Sequence, residues 1–283
     1  MTKWIFGSFP KDFLFLVFPG LATLLLVMFM PSQEGFFPEI LAFFALAFCD
    51  SGHVYTTFWR TYAIAKERKS TVLYFTVPVL IFLVVGTWVF LGVPGLWTVV
   101  IWLTVFHNYR QFHGILRWEQ KVNKDRDIWE GRFLMFLCAW PFLLYHLRDV
   151  NVHFYSADAM LMMPWPEALP WGLGLYFVVV TAWLLRTLRK VWAGTFRWPV
   201  VLAVLTPGLF YGVAFLLGTN LAQILFPLVV SHAVAYFGLM SLSLERLEVP
   251  FRKGFAVWLG VILVTALIFG WGESSYEEWM LGD

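Results

Sequence analysis

The chain has 283 residues, of which 60% are hydrophobic and 13% charged, and its formal net charge is +2. A soluble domain is nearer 45–50% apolar and about 25% charged, so lipid must be the solvent for most of this chain. The near-neutral balance gives no case for a nucleic-acid partner, and the two cysteines, Cys49 and Cys138, both lie inside apolar runs and offer no disulfide or zinc-finger framework.

A spanning helix needs about 20 mostly apolar residues. Nine segments meet that measure in chain order: 12–30, 37–60, 71–92, 96–117, 132–148, 168–186, 198–217, 221–243 and 254–272. The first is read as a retained helix, because no small-residue cleavage site follows it. Pro31 and Gly35 punctuate the chain before the second segment, and Pro94 and Gly95 before the fourth. Pro164, Pro166 and Pro170 precede the sixth, Gly218 and Asn220 the eighth, and Pro250 the ninth. The expected fold is therefore all-α: one polytopic transmembrane helical bundle spanning residues 1–283, with no internal repeat or second domain.

Charge sets the expected orientation. Alternate loops carry Arg60, Lys66, Arg68 and Lys69, then Arg117, Lys121, Lys124, Arg126 and Arg132. The next basic loops carry Arg186, Arg189, Lys190 and Arg197, then Arg246, Arg252 and Lys253. The intervening connections carry Glu34 and Glu39, or Arg148, Asp149, Asp158 and Glu167, or no charge at all, and the tail carries Glu273, Glu277, Glu278 and Asp283. Basic loops mark the cytosolic side, so nine helices place the N-terminus in the cytosol and the C-terminus outside. The expected setting is a bacterial inner (plasma) membrane, crossed several times.

Against this apolar background, ionisable residues inside a span are costly, roughly 2.5–3.5 kcal/mol at a helix centre, and mark function. Asp50 and His53 lie in the second segment, His107, Asn108, Arg110, Gln111 and His113 in the fourth, and His232 in the eighth. At about 1.5 Å rise per residue, Asp50 and His107 each lie ~15 Å from the basic end of their segment, and His232 sits near mid-membrane. Three distant helices thus place Asp and His in one layer. His146 and His153 lie elsewhere, toward the outer face, and read as interface or loop residues. Asp50 and His53, three apart, share a helix face, and their N and O donors suit iron or zinc. His107 and His113, six apart, diverge by about 120° on a regular helix. They could meet one ion only through a distortion such as a π-bulge. Arg110, between them, suits pairing with Asp50 or binding an anionic headgroup or substrate.

No dinucleotide fingerprint, P-loop, HExxH or GxSxG motif is present. The stretch His107-Asn-Tyr-Arg-Gln-Phe-His113-Gly, with Arg117-Trp-Glu-Gln beyond it, resembles the two-histidine helix of the Brp/Blh integral-membrane carotenoid oxygenases. Val230-Ser-His232-Ala is similar to that family's late Pro-His motif. The family's own histidine pair is closer spaced, and its early Pro-His-Gly and His-Phe-Gly signatures have only Asp50-Ser-Gly-His53 in their place. The resemblance implies a small helical membrane enzyme with iron held by histidines, and His107, His113 and His232 as ligands or near-ligands.

These readings converge on a membrane-embedded, metal-dependent oxidoreductase or oxygenase acting on a hydrophobic lipid, isoprenoid or carotenoid that enters from the bilayer. The expected metal ligands are Asp50, His53, His107, His113 and His232. Asp50 and Arg110 are the expected catalytic residues: Asp50 serves as a ligand or as the acceptor that orients a histidine, and Arg110 orients substrate or balances charge. Iron is the expected cofactor, with zinc or haem as alternatives. The rival readings are a proton-coupled transporter, using the same residues as a relay, a haem protein, and an assembly protein without chemistry.

Overall fold

The computed structural model describes residues 2–30, 36–62, 71–150, 153–155, 158–246 and 254–281. Among the described residues it is helical almost throughout. The helices are α1 (Phe9–Phe29), α2 (36–61), α3 (Thr71–Phe90), α4 (Leu96–Asn123), α5 (Ile128–Tyr145), α6 (Leu169–Trp192), α7 (Trp198–Leu217), α8 (Leu221–Arg246) and α9 (Phe255–Leu281). A two-stranded antiparallel ribbon, His153–Tyr155 with Asp158–Ala159, lies between α5 and α6. Seven of these helices, all but α4 and α5, are long and apolar enough to cross a membrane. The all-α, multi-pass reading therefore stands. Lys66, Arg68, Lys69, Arg252, Lys253, Glu34 and Asp283, used above for orientation, lie outside the described residues, as do Pro31, Gly35 and Pro250.

Local chemistry sets the helix ends. Asp127 caps α5 by accepting the Trp129 amide at 3.0 Å. Gly194, at φ +67°, closes α6 in the left-handed region that an L side chain disfavours. Pro199 opens α7, where its missing N–H costs nothing, and Asn220 accepts the Gln223 amide to start α8.

The chain sorts into two compact units, residues 1–30 with 100–232, and residues 31–99 with 233–283. In the first unit α7 is the central helix, with Val204, Phe210, Tyr211 and Ala214 all fully buried. Small residues set its contacts: Gly208 lies against Leu137 of α5, Gly212 against the Tyr176 hydroxyl of α6, and Gly20 of α1 against Phe210. Such close approach is how helices associate in lipid, where apolar burial alone supplies little drive. Polar contacts join helix ends as the loop charges require. Arg148, at the end of α5, donates to the Phe215 and Gly218 carbonyls at the end of α7, at 2.7 and 2.9 Å. The start of α5 meets the end of α6 through Asp127, Arg186 and Lys190.

In the second unit α2 crosses α9 with backbones nearly touching. The Cα of Gly52 stands 3.3 Å from where a β-carbon on Gly270 would fall. Trp59 donates its indole N–H to Thr265 at 3.0 Å. The α3 side chains are exposed along its length, the pattern of a helix sheathed in lipid.

Candidate metal centre

Among the described residues, three histidines are candidates to hold a metal ion: His53, His107 and His232. His107 and His232 belong to the first unit, and His53 to the second.

In the first unit, α4 and α8 bring His107 and His232 together from 125 positions apart in sequence. Their ring centroids are 4.9 Å apart at an interplanar angle of 69°, and each offers a nitrogen within 4.8 Å of the other's. Two nitrogens sharing one ion at about 2.1 Å stand roughly 3–3.5 Å apart, so a modest side-chain rotation suffices. His232 is buried and His107 exposed, leaving one side of the pair open. One turn beyond His107, Gln111 donates its amide to the His232 carbonyl at 2.7 Å, which pins α4 to α8 at the level of the two rings.

His113 is not part of this pair. The fourth helix runs without a π turn, so six residues carry His113 round to another face. There its Nε2 faces Gly131 of α5 and its ring lies 5.9 Å from that of Tyr109. The π-distortions occur instead at 13–17 in α1 and at 43–51 in α2. The second of these contains Asp50.

In the second unit, His53 is buried just after that π turn. Its Nδ1 lies 2.7 Å from the Cys49 carbonyl oxygen. A carbonyl only accepts, so Nδ1 carries the ring proton and Nε2 the lone pair, the tautomer of a metal-ligating or proton-accepting histidine. The ring sits edge-on to Tyr236, with centroids 5.7 Å apart, and the Tyr236 hydroxyl meets Thr57 at 2.9 Å. Tyr236 stands one turn after His232 along α8. Asp50 is exposed, and so is Arg110 on α4.

The remaining polar residues take structural places. His146 is buried, its Nδ1 bonded to the Phe142 carbonyl and its ring flanked by Trp102 and Phe142. His153 is placed only as the first residue of the ribbon. Cys49 and Cys138 are buried free thiols. Two buried acids also come together, Asp12 at the start of α1 and Glu119 on α4 beyond residue 117. Burial first, then the hydrogen bond and charge of Asp12, push the Glu119 carboxyl up to about 9. Glu119 lies only two residues past a charged segment end, so nothing in the sequence separates it from a solvated loop acid.

Beside α4, in the first unit, an apolar cavity of about 310 Å³ is lined by Trp102, Val105, Phe106, Tyr109, Cys138 and Tyr211, among others. No known family model matches the chain, and neither does any curated protein or solved structure.

Proposed function

We propose that the protein is a membrane-embedded, metal-dependent oxidoreductase whose substrate is a hydrophobic lipid, isoprenoid or carotenoid drawn from the bilayer. The observation that carries this reading is the His107–His232 pair, two imidazoles from distant helices held ring to ring within an apolar bundle.

In this reading His107 and His232 are ligands; His53, a ligand candidate by its position in the sequence, keeps its Nδ1 on the Cys49 carbonyl. His113, on another face of α4, is a candidate for a substrate contact, and Asp50, from the same layer of the sequence, remains a ligand or orienting acceptor by its position in the sequence. Iron fits an all-nitrogen or nitrogen–oxygen donor set, and when bound it would supply redox chemistry toward oxygen, whereas zinc would supply an activated water. The chain's own contribution is to exclude bulk water, to fix the imidazole tautomers and to admit apolar substrate. The apolar cavity on α4 supports the last of these. Arg110 orients a polar substrate group or balances charge.

The test is elemental analysis of detergent-purified protein, wild type beside His107→Ala, His232→Ala and His53→Ala, with absorption spectra on the same samples. Near-stoichiometric iron, lost in each variant while the helical fold survives, is the expected outcome. Zinc would redirect the reading to hydrolysis, and a Soret band to haem. A wild type that takes up no metal even on reconstitution overturns it and favours a proton relay through the same residues.

A further inference from the structure

Outside the metal centre, the first unit holds a second built site. A cavity of about 870 Å³ opens where the end of α4, the start of α5, the end of α6 and the turn into α7 meet. Six cations line it: Lys124, Arg126, Arg186, Arg189, Lys190 and Arg197. Its two lining carboxylates are already engaged. Asp127 caps α5 and pairs with Arg186 and Lys190, each at 2.8 Å. Asp125 accepts the Asp127 amide at 2.8 Å and lies 3.9 Å from Lys190. Beneath them Glu130, fully buried, holds Lys190 at 2.6 Å. Burial pushes the Asp127 carboxyl up, but its bonds from Lys190 and Arg186 outweigh that and hold it below the ordinary carboxylate range.

The acids therefore fix the floor, and the surplus charge at the mouth is positive. Among the described residues, the side chains of Lys124, Arg126 and Arg189 make no hydrogen bond or ion pair with the protein. Trp129 and Phe133 form an apolar wall on one side. Cations above an aromatic and aliphatic wall, at the basic-loop end of spanning helices, match a ligand with a phosphate head and acyl tails.

We propose that this cavity binds the phosphate headgroup of an anionic glycerolipid, with Arg126 and Arg189 as the principal contacts and the acyl chains lying along α5 and α6. The site is independent of the metal centre, and a protein without metal keeps it.

The test uses full-length protein in a neutral detergent and native mass spectrometry with three probes: dioctanoyl phosphatidylglycerol, dioctanoyl phosphatidylcholine and inorganic phosphate. One phosphatidylglycerol is expected to bind in preference to phosphatidylcholine. Arg126→Gln with Arg189→Gln should weaken it roughly tenfold or more. Lys121→Gln, an exposed cation on α4 outside the cavity, should leave binding unchanged. Neither arginine anchors the fold, and an unchanged far-UV spectrum verifies that the double variant is intact. Three results overturn the proposal: equal retention of phosphatidylcholine, a double variant that binds as wild type does, or a loss in Lys121→Gln as large as in the double variant. Inorganic phosphate binding as tightly, through the same two arginines, also overturns it, since the occupant is then a free anion and not a lipid.

Discussion

Replacing Lys190 by Met isolates the energy of one buried ion network. Glu130 is fully buried, with Oε1 at 2.6 Å from the Lys190 ammonium and Oε2 accepting the Trp183 indole N–H at 2.9 Å. Lys190 itself is only 15% exposed along its side chain, so the pair is poorly screened by solvent. Methionine keeps the length and apolar stem but leaves the carboxylate with one neutral donor. Removing one member of a buried pair costs about 3–5 kcal/mol. The retained Trp183 bond and the still-intact Arg186–Asp127 pair put Lys190→Met at the lower end, about 3 kcal/mol. Glu130→Gln removes the charge while keeping both neighbours satisfiable, at about 1–2 kcal/mol. The double variant carries no stranded charge and should be less damaged than the sum of the two, with a coupling of at least about 1.5 kcal/mol. Equilibrium unfolding in mixed dodecylmaltoside and SDS micelles measures all four proteins. A Lys190→Met variant within about 0.5 kcal/mol of wild type, or a cycle with no coupling, would refute the reasoning, because Glu130 would then have to be solvated.

Three further outcomes are expected. The unfolded chain releases the Glu119 proton near 4.5 and the folded chain near 9. Stability from this group is therefore complete below 4.5 and is lost as pH rises toward 9, by up to about 1.4 kcal/mol per pH unit; thermal unfolding midpoints across that window should slope down in wild type and flatten in Glu119→Gln. A β-carbon on Gly270 would strike the Ala47 carbonyl, whereas one on Gly260 meets open space. Gly270→Ala should destabilise by about 1–3 kcal/mol and Gly260→Ala should not, as read by the same micelle titration. His113→Ala should keep its metal while His107→Ala and His232→Ala lose it, and equal loss from all three would put His113 back among the ligands.

Much of this molecule was legible because lipid writes a simple code. Runs of apolar residues gave nine segments, and each corresponds to a helix among the described residues. Their ends were less legible, because charge marks where a segment leaves the membrane and not where its helix stops. The fourth segment, read as ending at Arg117, continues to Asn123, since Glu119 and Gln120 turn inward and are buried. The fifth begins at Ile128, before its apolar run, because Asp127 caps it.

The site divides in the same way. Depth along a helix is a linear quantity, so His107 and His232 could be matched by counting residues. The divergence of His113 also follows from counting, once α4 is known to be regular. The π turns at 13–17 and 43–51 carry no proline and no glycine, so the sequence offered nothing to move the expected distortion from α4 to α2. Azimuth is harder still. The Gly52–Gly270 contact joins residues 218 positions apart, and the closure of Glu130 on Lys190 joins residues 60 apart. Both depend on which faces two helices turn to each other, and in lipid an apolar face looks the same whether it meets a neighbour or an acyl chain. Polar atoms break that degeneracy, because each buried donor must find an acceptor. Gln111, bonded to the His232 carbonyl, is such an atom. It fixes the rotation of α4 against α8 that sets the two imidazoles ring to ring, and so turns two histidines at one depth into an adjacent pair.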